Sequence, residues 1–201
     1  MELFILLMLV ALGAYMLKAK DQNRRITLLG SHLGRHQIEK LMESLTEGYM
    51  RALGEADPER EAQIWSMLTT SEKALGEQFN RFVADFAKVE AAEACVKKLP
   101  FAIPYADKLF PSATFDMRQA LSIHAQGITQ GVQNTLNQTP KRKAFTLCAE
   151  LFLMQHTCHW FCRSKTVASA RMMVRHKTSY AQLVASVSPE TRLAYCQLIG
   201  S

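Results

Sequence analysis

The chain has 201 residues, with 24 Lys and Arg against 18 Asp and Glu, a formal charge of +6 with His neutral. Apolar side chains at 48% and charged ones at 21% are enough to build a core and exclude a largely disordered chain. Nine Gly and six Pro exclude collagen-like and low-complexity architectures, and a multispan membrane protein is excluded because only one segment is apolar enough to cross a bilayer.

That segment comes first. Leu3 to Leu17 carries no charge, and Lys18, Lys20, Arg24 and Arg25 follow at once, relieved only by Asp21. As a helix it falls somewhat short of a hydrocarbon core of roughly 30 Å, and Met1 together with snorkelling Lys18 and Lys20 closes most of the gap. A secretory signal peptide is the main competitor. It wants a positive residue ahead of the apolar run, where only Glu2 stands. A buried core helix is disfavoured because Leu3 to Val10 is apolar on every face. The expectation is a transmembrane anchor over residues 1–20 and a basic juxtamembrane linker over 21–30. The Lys/Arg bias puts the N-terminus outside and the rest in the cytoplasm, at the inner cell membrane. Five cysteines, an odd number in helix-like stretches, suit reduced cytosolic thiols better than an exported disulfide frame.

Residues 31–201 read as one all-α domain. Gly30-Ser31 breaks the chain, and Ser31 can cap a helix to about Gly54, with Ile38, Leu41, Met42, Leu45, Tyr49 and Leu53 on one face. Asp57-Pro58 opens the next helix, and Thr70 or Ser71 can restart another with Leu75, Phe79, Phe82, Val83 and Phe86 inward. No sustained period-two alternation occurs, so no sheet is expected. Residues 99–113, with Pro100, Pro104 and Pro111 among aromatic side chains, read as a packed connector between helical halves at about 31–98 and 114–201. Beyond it, helices are expected from about Phe115 to Leu136, from Thr139-Pro140 to about Arg163, from about Thr166 to His176, and from Ser188-Pro189 onward. The fold class is therefore all-α: one N-terminal transmembrane helix followed by a cytoplasmic helical bundle.

One stretch is chemically suggestive. Cys148, Cys158, His159 and Cys162 fall within an arc of about 100° on a helix. Cys158/Cys162 and His159/Cys162 have spacings that can put two ligands on one metal. His124 lies on the preceding helix with Gly127 and Gly131, and an antiparallel hairpin turning at Gln138 brings it level with Phe152. Thiolates and imidazoles are ligands that zinc or copper would take. The plainer reading uses the same geometry, with cysteines as small buried hydrophobes and glycines allowing two helices to pack closely. No paired CxxC, HExxH or CxxCH supports the metal.

Charge is uneven. Residues 139–201 carry nine basic side chains against two acids, while residues 1–138 carry fifteen against sixteen. Lys141, Arg142, Lys143, Arg163, Lys165, Arg171, Arg175 and Lys177 could meet anionic lipid headgroups if the domain hangs beneath a membrane. Nucleic acid is the weaker alternative, because these residues do not form one stripe and no nucleic-acid-binding signature accompanies them. No phosphate loop, nucleophile elbow or di-iron motif is present. The sequence therefore points to a single-pass membrane-anchored, non-catalytic interaction or scaffolding protein, with no cofactor and a possible protein partner at the cytoplasmic face. The alternative is a metal- or redox-active bundle.

Overall fold

The computed structural model describes residues 1–99 and 111–200 of the chain. The first helix, α1 (Glu2–Leu33), runs without a break through the apolar stretch and the basic residues behind it. The linker expected over residues 21–30 is therefore helix. Gly30 does not interrupt it, since one helical glycine costs only about 1 kcal/mol and Leu29 is buried against the core beside it. Ser31 turns its hydroxyl back to the Leu28 carbonyl (2.8 Å) instead of capping the next helix.

An antiparallel pair follows, α2 (Ile38–Gly54) and α3 (Pro58–Phe86). Asp57 caps α3, its carboxylate accepting from the Glu59 amide at 3.0 Å with Pro58 in the first turn. The restart expected at Thr70 or Ser71 is absent: α3 continues, burying Leu68, Leu75, Phe79, Phe82 and Phe86 at helical spacing. The expectation of no sheet is also corrected. Strands β1 (Cys95–Lys97) and β2 (Thr114–Asp116) pair antiparallel, with Val96 opposite Phe115 and both side chains inward. Three residues are too few for alternation to register as a pattern.

Asp116 then caps α4 (Met117–Gln133), which ends where Asn134 adopts a left-handed conformation. Thr139 and Pro140 open α5 (Pro140–Cys162), followed by α6 (Lys165–His176), α7 (Tyr180–Ser186) and α8 (Pro189–Ile199). Ser164, Ser179 and Ser188 cap the last three, and Ser179 with Gln182 completes a capping box. The chain is all-α apart from the small hairpin sheet. Helix α5 is its axis: α1, α2, α4, α6 and α7 all pack against it, and its buried residues span most of its circumference. The two helical halves share one core, α3 packing on α4. The proline- and aromatic-rich connector lies largely outside the described residues.

Candidate functional site

From Leu3 to Leu17 every large apolar side chain is exposed, Leu17 being the least so at 45%. Helix α1 is the one helix among the described residues long and apolar enough to cross a membrane, and its apolar window is unburied. This removes a buried core helix as the explanation of the run.

The inner half of α1 is bound tightly to the fold. Lys97 Nζ donates to Asp21 at 2.6 Å, Arg25 donates to the Cys95 carbonyl at 2.5 Å, and Arg163 donates to Gln22 at 2.7 Å. Burial works against the Asp21 charge, but Lys97 and Arg25 outweigh it and hold the carboxyl below its ordinary value. Arg25 is 5% exposed, and its guanidinium lies over the Phe161 ring. A residue of the expected juxtamembrane linker is thus a structural bolt between α1, β1 and α5.

The Cys/His candidates divide into three places. His124 is fully buried: its Nε2 sits 2.9 Å from Thr157 Oγ1, and its ring packs on Tyr195. The Thr157 hydroxyl is also within hydrogen-bond distance of the Leu153 carbonyl and the Tyr195 hydroxyl, so His124 joins a buried polar cluster. Cys148 faces the opposite way, towards Glu72, and burial with that carboxylate pushes its thiol up to about 12. Cys158, His159 and Cys162 remain together, lining one cavity of about 310 Å³ between α1, α2 and α5. Among the described residues no three His, Cys, Asp or Glu side chains converge as a metal site. Burial pushes the Cys158 thiol up, and the Cys162 thiol up to about 11 despite nearby arginines.

The packing reading of the glycines holds, with different partners. A side chain at Gly127 would meet Thr191 and Glu150, and one at Gly131 would meet Leu147.

Sequence reasoning missed the other buried polar groups of α5. His156 is fully buried, with Nε2 3.1 Å from Ser169 Oγ and its ring against Tyr180. Burial lowers both His124 and His156 to about 3, so both are neutral. Glu150, also fully buried, accepts from the Ser188 amide at 2.9 Å through one oxygen, and the other oxygen has no hydrogen-bond partner. Burial raises its carboxyl. The apolar residues on every side of α5 were the available signal, because a helix wrapped on all faces carries its polar side chains inside too.

The basic candidates do not form one surface. Lys141 and Arg142 are exposed at the start of α5, whereas Lys143 is paired with buried Glu72. Lys165 lies over the Trp160 and Tyr180 rings. Arg171 donates to His159 Nδ1 at 3.1 Å, and burial with Arg171 and Arg175 lowers that imidazole to about 4. Arg175 lines a second cavity, about 390 Å³, that shares His159 with the first, and Lys177 ends α6 in a left-handed conformation. The chain matches no protein-family model, and neither a curated protein nor a solved structure matches it.

Proposed function

We propose that this chain is a single-pass membrane-anchored interaction or scaffolding protein, with residues 1–20 in the bilayer, the N-terminus outside and the helical domain at the cytoplasmic face. The observation that carries this reading is the division of α1 at about Asp21: an outer half whose apolar side chains meet no part of the fold, and an inner half bolted to it. Twenty helical residues extend about 30 Å, the thickness of a hydrocarbon core. The basic side chains at residues 18–25 support the orientation.

A non-catalytic role is supported by the placement of the perturbed groups. His124, His156 and Glu150 are sealed in the interior, and the cavity-facing thiols are held in the unreactive protonated form. A zinc or copper role ranks behind it, since His124 and Cys148 point away from Cys158, His159 and Cys162. Direct contact of Lys141, Arg142, Lys165 or Lys177 with anionic lipid is a secondary element of the same reading. Topology is tested by fusions after Ser201. A cytoplasmic domain leaves alkaline phosphatase inactive and a fluorescent protein bright, and the reverse pattern refutes the orientation.

A further inference from the structure

The cavity between α1, α2 and α5 has the composition of a ligand site. Leu29, Ile38, Met42 and Met154 supply an apolar wall, and its volume of about 310 Å³ lies within the range of small-molecule pockets. Arg163 and Arg171 stand on the lining against one carboxylate, Glu39. His159 is arranged to donate: Arg171 occupies Nδ1, so the proton of the neutral ring is on Nε2.

Gly30 is the second observation. It lies on the cavity lining in the last turn of α1, has no left-handed backbone to require a glycine, and a Cβ built on it meets nothing within 4 Å. The absence of a side chain at this exposed position leaves the lining open there. The third is position. Ile26, also on the lining, is six residues past Lys20, about 9 Å along the helix from the end of the apolar arm.

We propose that this cavity takes a single-chain anionic amphiphile, a fatty-acid carboxylate drawn from the adjoining bilayer leaflet, its chain against Leu29, Ile38, Met42 and Met154 and its carboxylate on Arg171 and His159. The bilayer as source rests on the anchored reading above. A chain leaving the leaflet alongside α1 meets the cavity on the same helix, and Arg171 favours a carboxylate over a neutral headgroup.

The test uses the full chain in its own membranes with a fatty acid bearing a photoreactive diazirine in its chain, followed by peptide mapping. Labelling is expected in two places: along residues 1–20, from bulk lipid, and at Leu29, Ile38, Met42 or Met154. Gly30→Trp puts a bulky side chain on the lining at a position where a Cβ meets nothing within 4 Å, and it lowers only the second labelling, about tenfold or more, equivalent to about 1.4 kcal/mol of binding. Arg171→Glu lowers cavity labelling by the acid and leaves that by the matching fatty alcohol unchanged. Labelling confined to residues 1–20, or cavity labelling indifferent to Gly30→Trp, overturns the amphiphile site and leaves the anchor standing. Absence of label along residues 1–20 overturns the anchor, and the bilayer-fed site with it.

Discussion

Gly127 marks where α4, α5 and α8 meet most closely. A Cβ there would press on Thr191 Oγ1 and lie 2.5 Å from Glu150 Oε2, whereas at Gly131 it would meet only the flexible end of Leu147 at 3.3 Å. Gly127→Ala is therefore expected to cost about 1–3 kcal/mol by overpacking, and Gly131→Ala much less. Thermal unfolding of the full chain in mild detergent should show Tm lowered by at least about 3 °C for the first variant only. Glu150 supplies a pH signature. Its carboxyl is raised by burial, so the folded state retains a proton that the unfolded chain releases above about pH 4.3, and stability falls as pH rises. Glu150→Gln should then raise Tm at pH 8 and leave it nearly unchanged at pH 4. Equal destabilisation at both pH values would mean an ionised, well-paired carboxylate. His124 and His156 act in the other direction. Both are lowered to about 3, so between pH 6.5 and 3 the unfolded chain takes up protons that the folded chain refuses. Each histidine removes stability at about 1.4 kcal/mol per pH unit as the solution is acidified. A Tm that stays flat from pH 7 to pH 5 would contradict their neutral burial.

The elements differ in how far they could be read from the chain. Asp57-Pro58, Thr139-Pro140 and Ser188-Pro189 mark helix starts because capping and proline are local effects, and the structure begins α3, α5 and α8 there. The faces of α2 and α3 were legible by spacing for the same reason. Gly30-Ser31 misled because tertiary contacts decide there: Leu29 and Arg25 fasten α1 to the core and carry the helix past the glycine. The pairing of β1 with β2 depends on partners about twenty residues apart, which no local pattern announces. In the candidate site, helical spacing put Cys148, Cys158, His159 and Cys162 in one arc, and the last three line one cavity while Cys148 does not. Their cavity was invisible because its other walls, Leu29 on α1 and Ile38 and Met42 on α2, arrive through packing. His124 sits about a turn and a half along α5 from its expected level at Phe152, and it is spent on Thr157.

At the scale of the whole molecule, a positive C-terminal third no longer describes a single binding surface. Lys143 and Arg163 are engaged with Glu72 and Gln22, and Arg171 turns towards His159. What stays unpartnered is the apolar half of α1, extending from a domain that holds its other half. Exposing that many large aliphatic side chains to water would forfeit about 1.5–3 kcal/mol apiece, a penalty that a bilayer removes. The most direct test is alkaline extraction of membranes carrying the full chain, beside a chain lacking residues 2–20, with the N-terminus of the retained protein sequenced. The expected result is a full chain that stays in the membrane with its apolar segment intact and a truncated chain released as a folded, helical protein. A full chain released into the supernatant, or one retained without residues 1–17, would contradict the anchor.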